Sequence, residues 1–158
     1  MKYMQEIKIS MATKKDIGQL LGFFKHYKAR DIIKKRVNCY LSHNFTVVAK
    51  DKNVIVGILQ WYVKEDPGMG VAEFEEFYVL DNYRGKGVGS SLVSHAIRSV
   101  KKHFIKNRIK PRRIFVFTGE KNKAVRNILK KHGFKVISGV GNLFFDNKKE
   151  AFCCLVLS

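Results

Sequence analysis

The sequence is short of acid, proline, cysteine and long apolar runs. Two prolines in 158 residues, with 46% of residues hydrophobic, exclude collagen-like and disordered classes and point to a packed globule. The longest apolar run, Val54 to Val63, is broken by Gln60 and is too short to cross a bilayer as a helix, so no membrane partner is expected. Met1 to Glu6 has no apolar stretch of the kind a signal peptide needs, and a cytoplasmic location is expected from that. The three cysteines, Cys39, Cys153 and Cys154, are an odd number, and the last two leave a strand on opposite faces, so no disulfide framework is expected. Acidic residues number 13 against 31 Lys and Arg, a formal charge of +18. Such a field attracts polyanions such as nucleic acid or a phosphorylated cofactor. A Lys-rich solubilising surface gives the same balance, so charge alone does not choose.

What remains is enough for one domain over 1–158 and too little for two. Ile7, Ile9 and Met11 alternate with polar residues as in a half-buried strand. Thr13 and Asp16 read as a helix start, followed by Ile17, Leu20, Leu21 and Phe24 at helical spacing. A second stripe, Ile32, Ile33, Val37, Tyr40 and Leu41, makes either one long kinked helix or two short ones. Phe45 to Lys50 and Val54 to Val63 form a hairpin, and 66–70 breaks the chain before a strand from Val71 to Leu80. A helix carrying Leu92, Val93, Ala96, Ile97 and Val100, a strand from Ile114 to Thr118, and a helix opened by Asn122 and closed by Gly133 follow. Two strands, about Phe134 to Val140 and Ala151 to Leu157, end the chain.

The most informative stretch is Glu73-Phe74-Glu75-Glu76-Phe77-Tyr78-Val79, then Tyr83-Arg84-Gly85-Lys86-Gly87-Val88-Gly89-Ser90, a strand running through a glycine-rich turn into a helix. Glycine lets backbone N–H groups approach a pyrophosphate closely, and the helix dipole favours the anion. Arg84 and Lys86 add charge at the same spot. The P-loop needs Ser or Thr after Gly-Lys, where Gly87 stands, and the dinucleotide fingerprint needs Gly or Ala where Ser90 stands, so both readings fail. Arg-x-x-Gly-x-Gly, from Arg84 to Gly89, resembles instead the acyl-CoA pyrophosphate loop of the GNAT acetyltransferase superfamily. The ending Lys-His-Gly-Phe resembles that family's second helix, and the order of elements is similar to its fold over nearly the whole chain. Within the family, Phe-Glu-Glu-Phe-Tyr-Val followed by Tyr-Arg-Gly-Lys-Gly-Val-Gly is similar to spermidine/spermine acetyltransferases.

The resemblance implies an α+β fold with a mixed, mostly antiparallel sheet flanked by helices, acetyl-CoA as co-substrate, and a primary amine as acceptor, either a polyamine, a protein N-terminus or lysine, or a small amine. An alkylamine with a pKa near ~10.4 must lose its proton before attacking a thioester. Glu75 matches the family's base, Glu73 shares its strand face two residues earlier, and Glu76 faces the other way. The resemblance assigns Phe77 and Val79 to the pantetheine arm through their main chain, and Arg84, Gly85, Lys86, Gly87, Val88, Gly89 and Ser90 to the pyrophosphate. Asn122 matches a pantetheine contact and is equally a helix cap. Relatives often carry a Tyr where Leu129 stands, to protonate the departing thiolate. Leu cannot, which leaves Tyr78, Tyr83 or unaided departure of the thiolate.

His26, His43, His95, His103 and His132 show no ligand spacing with cysteines or carboxylates, so no metal site is expected. A strongly cationic chain repels a polyamine unless Glu65, Asp66, Glu73, Glu75 and Glu76 form a local acidic cleft. The alternative reading is a nucleic-acid-binding or regulatory module on the same fold, drawing on the basic runs Lys101 to Arg113 and Lys130 to Lys135, although no binding motif accompanies them. Relatives in the family often form homodimers, and nothing in the sequence decides that here.

Overall fold

A computed structural model describes residues 7–24, 30–43, 45–143 and 147–157. His26 and the segment 1–6 lie outside these. The elements follow as β1 (Ile7–Met11), α1 (Ile17–Phe23), α2 (Arg30–Ser42), β2 (Thr46–Asp51), β3 (Val54–Val63), β4 (Val71–Val79), α3 (Val88–Lys106), β5 (Arg113–Gly119), α4 (Lys123–Lys131), β6 (Lys135–Gly141) and β7 (Lys149–Val156). Seven strands form one sheet in the order β1-β2-β3-β4-β5-β7-β6. The β1–β2, β2–β3, β5–β7 and β6–β7 pairs are antiparallel, and β4–β5 is parallel. This is the α+β class with a mostly antiparallel sheet that the family resemblance implies. The chain packs as two compact units, Met1–Gln60 with Glu76–His95, and Trp61–Glu75 with Ala96–Ser158, whose borders fall inside β3, β4 and α3.

In the first unit, α1 and α2 bury Leu20, Phe24, Ile33 and Val37 against Ala12, Val48, Ile55 and Ile58. The second helical stripe is narrower than the sequence suggests. Ile32 is 67% exposed while Ile33 and Val37, four apart, face the core, because successive helical residues are about 100° apart and only one of two neighbours can turn inward. The start of this unit is fixed by Asp16. Its carboxylate accepts hydrogen bonds from the Thr13 backbone N–H at 2.8 Å and from Lys50 Nζ at 2.6 Å. Burial opposes its ionisation, yet the bonds from Lys50 and Thr13 outweigh that and hold its pKa below the ordinary value. Gly57 sits under α3, where an added Cβ would lie 3.0 Å from Leu92 Cδ1 and 3.2 Å from the Tyr78 carbonyl oxygen.

In the second unit, the parallel ladder runs from Val71↔Arg113 to Phe74↔Val116, and β7 pairs along all of β5 from Arg113↔Val156 to Gly119↔Glu150. Ile114, Val116, Ala151 and Cys153 are buried, as are Phe104 and Phe134, and Phe134 packs on Phe74 with ring centroids 5.9 Å apart. Cys153 and Cys154 are both buried and free although they are neighbours on one strand. Burial pushes both thiols up, only partly offset by Arg126 beside Cys153 and Arg113 beside Cys154, so each behaves as a small apolar side chain. Gly70 adopts φ +65°, and a Cβ there would strike the Lys110 carbonyl oxygen.

Candidate active site

After β4, a 3-10 turn at Asp81–Tyr83 and a turn over 84–87 lead into α3. Gly85 and Gly87 adopt φ +73° and +82°. No atom of the described residues outside the turn's own neighbours lies within 4 Å of a Cβ built on either, so glycine is needed there for backbone conformation and not for internal packing. The first hydrogen bond of α3 is Ser91 N–H to the Gly87 carbonyl at 3.0 Å. The amides of the helix's opening residues therefore have no intrahelical acceptor, and the dipole of a nineteen-residue helix favours negative charge at this end. Val88 and Gly89 are buried, Ser90 is half-buried, and Gly85, Lys86 and Gly87 are exposed.

Side chains brace this turn. Tyr83 donates its hydroxyl to Asp51 Oδ2 at 2.7 Å, which raises the Tyr83 pKa, and Lys86 Nζ lies 5.6 Å from the Tyr83 ring centroid. Arg84 Nε donates to the Val79 carbonyl at 2.9 Å, its Nη2 pairs with Asp81 at 2.9 Å, and its guanidinium lies over the Tyr78 ring. Arg84 is thus a brace between β4 and the turn as well as a positive charge beside the glycines.

The three carboxylates of β4 have different surroundings. Glu73 is buried, and its Oε2 accepts from the Tyr62 hydroxyl at 2.7 Å and Lys64 Nζ at 3.0 Å. Burial together with the Glu73 bond pushes Tyr62 up to about 12, and the bond to Glu73 raises Lys64. Glu76 is half-buried and pairs with Arg36 of α2 at 3.4 Å. Glu75 is exposed. Phe77 and Val79 are half-buried, Tyr78 is 45% exposed with its ring edge-on to Phe23, and Tyr83 has its hydroxyl proton directed at Asp51. Asn122 caps α4, accepting from Val125 N–H at 3.2 Å, and Leu129 is 1% exposed beneath the same helix. Among the described residues no group of three or more His, Cys, Asp and Glu is placed to hold a metal ion, and no helix is long and apolar enough to cross a membrane.

The sequence profile of the acetyltransferase (GNAT) family matches residues 14–134, from the turn before α1 to the end of the α4 segment. The chain belongs to the GNAT acetyltransferase family. Among solved structures, the GNAT-family acetyltransferase from Streptococcus pneumoniae is similar to it with a TM-score of 0.80 at 17% identity, covering 97% of this chain and 100% of that one. YncA from Salmonella typhimurium, in a structure with its cofactor acetyl-CoA, has a TM-score of 0.80 at 17% identity over 96% of this chain and 94% of that one. A ribosomal-protein-alanine N-acetyltransferase from Brucella melitensis has a TM-score of 0.79 at 17% identity over 95% and 99%. No curated protein matches the sequence. The GNAT glycine turn was legible in the sequence, but two features were not. The Tyr62–Lys64–Glu73 cluster joins two strands; Glu150 is buried, and its Oε2 has no partner among the described residues. Neither has a local spacing signal.

Proposed function

We propose that this protein transfers the acetyl group of acetyl-CoA to a primary amine by direct attack in a ternary complex, with 1–158 acting as one catalytic domain. The observation that carries the reading is the glycine turn, where Gly85 and Gly87 hold positive φ with open space at the position of a Cβ on both, at the N-terminus of α3. The residues present fit a CoA pyrophosphate. Donors from the start of α3 and the cations Arg84 and Lys86 surround a surface with no side chain in the way.

Chemistry is assigned to β4. Glu75, which the family resemblance marks as the base, takes the ammonium proton, directly or through a water, and its exposure on β4 lets an acceptor amine reach it, whereas Glu73 is buried. The free amine then attacks the thioester carbonyl. The Val79 N–H donates to the oxygen as it gains charge, the C–N bond forms, the C–S bond breaks to release the CoA thiolate, and the surplus proton on the nitrogen passes to water or to that thiolate. Leu129 supplies no proton and Tyr83 has committed its own to Asp51, so the thiolate, with a pKa near ~8.5, leaves unaided or is protonated by Tyr78 or water.

Calorimetric titration with acetyl-CoA tests the reading by comparing the wild type with Gly87→Glu, which places a negative side chain in the cradle at a positive-φ position. Wild-type binding that the substitution abolishes is the expected result. Absence of binding by the wild type overturns it and turns attention to the nucleic-acid alternative, which predicts tight binding that weakens steeply with salt.

A further inference from the structure

One face of the second unit's sheet carries two buried carboxylates whose surroundings differ. In the β5–β7 ladder Phe117 lies opposite Phe152 and Gly119 opposite Glu150. Cross-strand partners share a face, as do residues two apart on one strand, so Glu150, Phe152 and Phe117 share one face while Ala151 and Cys153 turn to the other. Phe117 and Phe152 stack with centroids 4.9 Å apart, Phe115 lies 5.0 Å from Phe152, and all three rings are half-buried. The β4–β5 register puts Glu73 beside Phe115 on this face, where Tyr62 and Lys64 donate to it. Glu150 is as deeply buried, at 5% exposure, yet no donor among the described residues reaches its Oε2.

Buried polar atoms are nearly always paired, and a buried carboxylate oxygen without a donor is costly until one arrives. Among the described residues none supplies that donor, so the atom is left to a donor from elsewhere. A carboxylate excludes anions, while ring faces attract cations and bury an alkyl stem. We propose that Glu150, with the Phe117–Phe152 stack beside it, is a binding subsite for an alkylammonium group. Resting on the transferase reading above, it holds a charged, non-reacting end of the amine acceptor. A local anionic subsite of this kind also answers how so cationic a chain can take a cationic substrate.

The test is calorimetric titration of the full chain, without acetyl-CoA and at low salt, with cadaverine dihydrochloride and, separately, with 1-pentanol. Wild type binds cadaverine and not 1-pentanol. Glu150→Gln weakens cadaverine about tenfold or more with acetyl-CoA affinity unchanged. Phe152→Leu keeps the carboxylate, removes the ring, and weakens cadaverine several-fold. It decides the matter if Glu150→Gln does not fold. Undiminished cadaverine affinity in the folded variants, or equal binding of 1-pentanol, overturns the proposal. If wild type binds cadaverine through Glu150 but not acetyl-CoA, the transferase reading fails and the cation subsite stands. The opposite pattern removes the subsite alone.

Discussion

Three glutamates within four residues of β4 carry the same functional group in different surroundings. Glu73 is fixed by two donors, Glu76 by Arg36, and Glu75 is exposed. Glu75→Gln is therefore expected to lower kcat about a hundredfold in a thiol-release assay while leaving acetyl-CoA binding intact, and an unchanged rate would move the base elsewhere. Asp16 is the corresponding residue for stability. Asp16→Asn removes the charge that Lys50 approaches at 2.6 Å and is expected to cost about 2 kcal/mol, read by urea denaturation. Because the native pKa of Asp16 is depressed, its contribution is fully present above the unfolded value near ~3.9 and is lost as pH falls through the lower native value. The denaturation midpoint of the variant should accordingly approach that of the wild type in that acid window.

Elements place these residues. The β4–turn–α3 unit was legible because glycine spacing after a β-rich run has few uses, and the capping role of Asn122 and the positive φ of Gly133, +86°, followed from local chemistry at the ends of α4. The middle of α4 was not legible in the same way. Leu129 stands where relatives often carry a Tyr, and the structure shows it 1% exposed, at the edge of a cavity of about 730 Å³ lined also by Arg126, Lys130, Phe134 and Cys153. Leu129→Tyr is expected to remain active and to match or exceed the wild-type rate of thiol release. A folded but inactive variant would show that the slot serves another purpose. Ile32 marks the limit of periodicity, since five apolar residues fitted a helical stripe and only packing against Val48 and Ile58 selected which of them turn inward.

At the scale of the whole molecule, +18 over 158 residues makes repulsion among like charges a standing cost to the folded state. Raising sodium chloride from about 20 to about 200 mM shortens the Debye length to less than 10 Å and should raise Tm in a thermal-shift series. A fall in Tm would mean that attractive pairs such as Lys64–Glu73 and Arg36–Glu76 outweigh the net repulsion. The sequence by itself determined the element order and the glycine-rich turn after β4, because periodicity, caps and glycine spacing are local properties of the chain, and its resemblance to the family carried the α+β class. Only the tertiary structure decided how deeply each carboxylate is buried and which partners reach Glu73 and Glu76. The donors to Glu73 come from a neighbouring strand, Arg36 reaches Glu76 from a helix forty residues earlier, and the missing donor at Glu150 is visible only once everything around it is in place.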